Sequence, residues 1–386
     1  MKRRTAKRAA RARAGANGGD DNMKKGGRLV KYEALPDYLK DNEFITDYYR
    51  CEWPLKDIVL SIFFVHNETL NIWTHLIGFL IFLWLMVMSL TNKMKPENVI
   101  AALFGEGSDG WLKTKMMNQS NDSNAIFSES YTTLFAKSTI FGAKEDTNSV
   151  PLWPWIVFLV GAMGCLIFSS ISHLFACHSR RFYYFFWRLD YTGISLMIVC
   201  SFFAPIYYTF SDYPEWRFFY LSSITLVGIL VVITLLSPAL SSGHFRSFRA
   251  TLFLCMGFSG VIPAAHAVVL HWGHRQILWS LVYEIVMGLL YGVGAVFYMT
   301  RIPERWKPGA FDIVGHSHQI FHVFVVAAAL SHSAATMIIM EWRRALQAES
   351  VMFIFDACDE AASILTIVLV FLVAKVMWFT DIHIYT

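Results

Sequence analysis

Charge is scarce in this sequence. Of 386 residues only 16% are Asp, Glu, Lys or Arg, while 55% are hydrophobic and 16% aromatic, with a mean hydropathy of +0.43. An ordinary soluble domain carries about 25% charged residues, and a dispersed surface needs roughly 25–35%. The shortage excludes a conventional cytosolic globular enzyme, a disordered chain and a nucleic-acid-binding domain. Cysteine is sparse and unpatterned. Cys51, Cys165, Cys177, Cys200, Cys255 and Cys358 form no CxxC pair, and the polar stretch 91–150 has none. Cys165, Cys200 and Cys255 fall inside apolar runs and read as reduced, packed thiols rather than a disulfide frame. A secretory leader is not expected, because the first apolar run begins only near Leu70, behind a long basic segment.

What the chain has instead is long apolar runs. A bilayer core of about 30 Å needs about 20 apolar residues in a helix. Seven runs meet that length, at 70–90, 152–174, 190–209, 218–238, 250–271, 278–299 and 316–338. An eighth, from Ser363 to Phe379, is interrupted by Lys375. Backbone groups in lipid must be bonded within the segment, so these runs are expected as helices. The fold class that follows is an all-α integral membrane protein, a seven-transmembrane helical bundle with an extra C-terminal apolar segment.

The basic residues are unevenly placed. Residues 1–32 hold eleven Lys or Arg and two Asp, a local charge of +9 within a chain of net +4. Such a block reads as a solvated tail, suited to setting topology or touching anionic lipid. With the N-terminus on the cytoplasmic side, the inner segments carry 22 Lys or Arg and the short outer ones four, an N-inside pattern. The expected organisation is a basic, largely disordered tail over 1–52, a seven-helix domain over 53–340 with a lumenal or extracellular loop at 91–150, and a C-terminal extension over 341–386. The loop contains two glycosylation sequons, at Asn118 and Asn121. The segment 53–69 mixes apolar residues at helical spacing with Lys56 and Asp57. It reads either as an amphipathic helix in the inner interface, with Arg50 and Lys56 toward head groups, or as packing beneath the bundle.

Ionisable groups at membrane depth are costly and therefore mark function. Run two ends in Ser169-Ser170-Ile171-Ser172-His173, run three opens at Arg188-Leu189-Asp190-Tyr191, and run seven opens with His316-Ser317-His318-Gln319-Ile320-Phe321-His322. His318 and His322 are four apart, which puts both rings on one helix face, the spacing that lets two imidazoles share a metal. Ser169 and His173 share a face in the same way. Alternating spans carry His173, Asp190, His318 and His322 to one depth near the inner leaflet. Three imidazoles with a carboxylate suit Zn²⁺ better than Mg²⁺ or Ca²⁺. An open three-nitrogen site can activate water near neutral pH, with Asp190 as a direct ligand or general base and Ser169 orienting His173 or bonding a substrate oxygen. A single helical histidine is more often a satisfied interior residue, so the weight rests on the convergence. His75 is expected to pack or to make a polar contact within the bundle, His316 to point elsewhere, His66, His178 and His244 to be interfacial, and His266, His271, His274 and His332 to lie toward the outer half. Glu284 is expected as a buried, hydrogen-bonded carboxyl.

Four stretches in order carry a resemblance: His66-Asn67-Glu68-Thr69-Leu70-Asn71-Ile72-Trp73-Thr74-His75-Leu76, the pair Ser169 and His173, Leu189-Asp190-Tyr191-Thr192-Gly193-Ile194, and Ser317-His318-Gln319-Ile320-Phe321-His322. Together they resemble the progestin and adipoQ receptor family, and within it the plant heptahelical proteins related to adiponectin receptors, over about Tyr32 to Trp342. The resemblance implies seven helices, an inside N-terminus and a zinc ion near the cytoplasmic side, held by His173, His318 and His322. Asp190 would be reached through water, with Ser169 nearby. It implies a receptor or signalling protein in hormone, sugar or abiotic-stress responses of a plant. The alternative is a ceramidase-like, zinc-dependent hydrolase of lipid amides. The implied partners are membrane lipids, a ceramide-like or fatty-acyl ligand and an unidentified protein effector, with no nucleic acid. A plasma-membrane or endomembrane location is expected. The pattern departs after Trp342, where residues 349–386 add the further apolar run.

Overall fold

Lipid offers no partner for a free N–H or C=O, so the apolar runs close their bonds internally as helices. The computed structural model describes residues 27–91, 150–237, 240 and 243–349. A short helix α1 (Leu55–Leu60) precedes α2 (Thr69–Leu90), α3 (Trp153–Phe175), α4 (Arg180–Thr209), α5 (Pro214–Leu235), α6 (Arg246–Phe258), α7 (Val261–Leu270), α8 (Arg275–Thr300) and α9 (Ser317–Glu349). Among the described residues seven segments are long and apolar enough to cross a membrane, α6 and α7 counting as one. The described residues contain no strand beyond one isolated bridge, Val30 to Tyr49. The expected all-α seven-span class holds. The sequons at Asn118 and Asn121 and the eighth run lie outside the described residues.

Local chemistry explains the boundaries. Pro154 and Pro214 sit in first turns, where the missing N–H costs nothing. The Ser179 side chain accepts from the Phe182 N–H and starts α4. That helix begins ten residues earlier than the apolar run at 190–209, so most of the segment between the second and third runs is helix. The fifth span breaks between α6 and α7. Pro263 has no N–H for the carbonyl of Ser259, and its ring opposes a continuous helix there. Pro205 likewise leaves the Ser201 carbonyl without its helical donor, and His332 Nε2 lies 3.0 Å from that oxygen.

The spans pack in sequence order and α9 closes the ring onto α2, while also meeting α4. α3 and α9 are the most enclosed, and α6–α7 and α8 the least. The largest core cluster joins Phe82, Trp155, Phe158, Leu166 and Tyr208 to Ala329 and Met337. Small residues let membrane helices approach closely. A Cβ built on Gly161 of α3 would lie 2.4 Å from Cys200 Cβ of α4, whereas one on Gly292 meets nothing within 4 Å. Gly161→Ala is therefore expected to destabilise by about 1–3 kcal/mol through overpacking. Gly292→Ala should be neutral or stabilising through better helix propensity. Thermal unfolding of the two variants in detergent checks the opposite signs.

Two expectations need correction at the N-terminal side. The disordered tail was expected to run to residue 52, but residues 27–52 are packed, with Leu35, Ile45 and Tyr49 buried together. Backbone pairing of Val30 with Tyr49 and of Tyr32 with Thr46 holds this segment. Arg50 does not face head groups; it is 3% exposed. Around α1, Trp53 and Ile58 are buried, while Leu55, Val59, Leu60, Phe63, Phe64 and Val65 are exposed. The segment thus both packs beneath the bundle and presents an apolar face outward. At the other end α9 runs to Glu349, past the expected domain boundary at 340.

Candidate metal centre

One end of the bundle gathers the start of α2, the end of α3, the first half of α4 and the start of α9. His173 lies two residues before the end of α3, and His318 and His322 lie in the first two turns of α9. The i, i+4 spacing puts the latter pair on one face. One ring nitrogen from each of His173, His318 and His322 lies within 4.8 Å of the others, so the three can hold a metal ion.

The outward-facing ring nitrogens decide how the rings are turned. His173 Nδ1 is 2.7 Å from Glu68 Oε2, and His322 Nδ1 is 3.1 Å from the Asn71 carbonyl and 3.3 Å from Thr74 Oγ1. A carboxylate or carbonyl behind a metal-ligating imidazole fixes its tautomer and aims the other nitrogen. His173 Nε2 accordingly faces His318 Nε2 at 3.2 Å. Where neither Nε2 carries a proton, two lone pairs face each other and a cation between them would satisfy both. Nitrogens about 2.0–2.1 Å from one tetrahedral ion would stand at about this separation. The donor set therefore fits a divalent ion of the Zn²⁺ type.

Glu68 was missed as part of this centre, whereas His75 packs within the bundle as expected, against one of the three rings. Glu68 ends the turn before α2, and its carboxylate also accepts from Asn71 Nδ2 at 2.6 Å. Burial works to raise its pKa, but His173 and Asn71 outweigh it and hold the carboxyl below the usual range. His75 stacks on His322 with ring centroids 3.6 Å apart. Residues 68, 71 and 75 fall on one face at the border of the first span. That periodicity was the available signal, and it lies within the stretch that carries the family resemblance.

His66 is buried rather than interfacial. Burial, with Arg50 nearby, pushes its pKa down to about 3. The ring is thus neutral, and its Nδ1 accepts from the Glu68 N–H at 3.1 Å. His316 turns to the Asn67 carbonyl, 3.3 Å from its Nε2, and so points away from the triad as expected. His332 pairs with Glu284 at 2.9 Å, so the carboxyl is bonded as expected, though it is half-buried rather than buried. His266 bonds Tyr220 and His271 the Thr209 carbonyl, and neither belongs to the triad.

Two cavities meet at His318. A vestibule bordered by the charged side chains of Asp41, Arg50, Glu68 and Arg246 reaches it. Asp41 pairs with Arg246 and lies near Arg301; burial opposes its charge, yet these arginines hold its pKa below the ordinary value. On the other side lies an apolar cavity of about 1350 Å³, lined by Phe158, Met197, Phe202 and Phe253, which also holds His318, His322, Ser169 and Asp190. Ser169 and Asp190 lie on the same side of that chamber, beside the histidines. The histidine cluster thus stands between an entry bordered by charged side chains and an apolar chamber.

A ring of seven membrane helices with three convergent histidines at one end defines a polytopic membrane protein with a metal-competent centre. The model described as haemolysin-III related matches residues 63–333, and the chain belongs to that family, which takes in the progestin and adipoQ receptors. It is 57% identical over 320 residues to heptahelical transmembrane protein 3 of Arabidopsis thaliana, covering 82% of this chain and 89% of that one. It is 46% identical over 325 residues to heptahelical transmembrane protein ADIPOR1 of rice, covering 82% and 85%. An adiponectin receptor protein of Drosophila melanogaster is 35% identical over 307 residues, covering 79% and 58%. This is an adiponectin-receptor-like heptahelical, multi-pass membrane protein.

Proposed function

We propose that this protein is a receptor-like signalling protein whose histidine centre holds Zn²⁺ and whose chamber receives a fatty-acyl or related lipid ligand. The observation that carries the reading is the convergence of His173, His318 and His322, two of them oriented from behind by Glu68 and Asn71. Zn²⁺ is preferred because the donors are three imidazoles. When bound, such an ion supplies Lewis acidity and a firm cross-link between α3 and α9. Ser169 and Asp190 face the chamber beside the triad and can orient a polar head group, while the apolar lining accepts its chain. The 22-to-4 distribution of basic residues supports an N-terminus on the cytoplasmic side.

The similarity to a protein named an adiponectin receptor favours signalling over lipid-amide hydrolysis. The relatives in Arabidopsis and rice are plant proteins, and the proposed setting is a hormone, sugar or stress response of a plant. Elemental analysis of purified wild type against His318→Ala tests the metal reading. About one zinc per wild-type chain and a loss of most of it in the variant are expected. Equal metal content in both would overturn it.

A further inference from the structure

The two helix ends that carry the histidines are each capped by a buried charged side chain, and one chain segment joins the two caps. α3 ends at Phe175, so its final carbonyls lack helical donors. The carbonyl of His173 itself accepts from Arg50 Nη2 at 2.7 Å, and that of Leu174 from Arg50 Nη1 at 3.1 Å. Arg50 Nη1 also bonds Ser61 Oγ at 2.7 Å. A cation at a helix C-terminus is favoured by the macrodipole, and the planar guanidinium can span several acceptors at once.

α9 starts at Ser317, the residue before His318. The Ser317 N–H donates to Glu304 Oε2 at 2.7 Å, and its hydroxyl donates to Glu304 Oε1 at 2.5 Å. Glu304 is fully buried, a carboxylate at a helix N-terminus where charge of that sign is stabilised. Asn42 Nδ2 donates to the same Oε1 at 3.2 Å. Between Asn42 and Arg50, the Thr46 N–H and hydroxyl both donate to Asp312, at 2.9 Å each.

We propose that residues 42–50 form a positioning strap, which sets the relative placement of His173 and of the His318–His322 face through the caps Arg50 and Glu304. The proposal rests on the metal reading above. Both α9 histidines move together when their helix shifts, so a small slip at Ser317 changes two of three ligand positions. Arg50 holds the backbone of the third. Supporting bonds of this kind alter metal affinity by about 10–100-fold when lost. A purely structural role would lower stability without selecting the caps over the middle of the strap. Asp312, which Thr46 holds, lies in the 301–316 connection and adjoins no ligand helix end.

The test uses the full-length protein, stripped of metal and titrated with Co²⁺, whose visible absorption reports coordination geometry. Arg50→Lys keeps the charge but not the planar fork, and Glu304→Gln keeps the shape but not the charge. Both are expected to raise the Co²⁺ Kd at least about tenfold and to shift the visible band. Thr46→Ala is expected to lower the melting temperature while leaving Kd within about twofold and the band unchanged. Should either cap variant fold poorly, Asn42→Ala, which removes the strap's bond to Glu304 together with the local acceptor for the Phe44 N–H, is expected to weaken Co²⁺ binding by about two- to fivefold. Caps that bind Co²⁺ like wild type, or a Thr46→Ala loss equal to theirs, overturn the strap and leave the metal reading standing. A wild type that takes up no Co²⁺ overturns both.

Discussion

Chelation of the purified protein is expected to lower its melting temperature by about 10 °C, with recovery on adding back Zn²⁺. The triad joins α3 to α9, two helices that are adjacent neither in sequence nor around the ring, where each instead packs against α2. A ligand that binds only the folded state at 1,000 times its Kd contributes about 4 kcal/mol. For a domain of this size each kcal/mol corresponds to about 2–4 °C. Without the ion, three imidazoles remain packed together beside an apolar chamber, with two ring nitrogens facing each other at 3.2 Å. Scanning fluorimetry or calorimetry with and without chelator reads the shift, and a curve indifferent to chelator would contradict the account.

The second large effect is expected at Glu68. Glu68→Ala removes the carboxylate 2.7 Å behind His173 Nδ1 and the acceptor for Asn71 Nδ2. The His173 ring is then free to turn or to change tautomer, and metal affinity should fall by about 10–100-fold. Glu68→Gln retains the size and one acceptor oxygen but not the charge, so an intermediate loss is expected. Competition with a chromophoric chelator measures both. An unchanged affinity in Glu68→Ala would mean that His173 is not a ligand or needs no partner behind it.

Much of this arrangement was legible in the residues because membrane burial simplifies the code. Each of the seven runs within the described residues is a helical segment of spanning length, since lipid leaves helix as the only way to satisfy the backbone of an isolated segment. The triad was readable for the same reason. His318 and His322 share a face by periodicity, and alternating spans carry His173 to their level. The boundaries were less legible where polar or aromatic residues continue a helix beyond the lipid, as from Arg180 to Leu189 and from Ile339 to Glu349. The break at Ser259–Gly260 depends on one proline inside an apolar run that reads as continuous.

The residues behind the ligands were harder to see. Glu68 pairs across 105 positions and Arg50 across 123, and nothing in their local composition distinguishes them from interfacial charge. Arg50 reads as a head-group contact until the exposed carbonyls of α3 supply a reason to bury it. Glu304 sits in a charged turn and becomes a helix cap only once Ser317 is placed beside it. Position on a helix face follows from spacing, whereas pairing between distant segments follows from the packed bundle.

The account stands on three nitrogens converging on one ion, and X-ray absorption at the metal edge of the purified wild-type protein tests that most directly. It predicts a shell of three imidazole nitrogens at about 2.0–2.1 Å, reduced by one in His173→Ala. A spectrum with sulfur neighbours, or an absorption edge showing no metal above background, would contradict it.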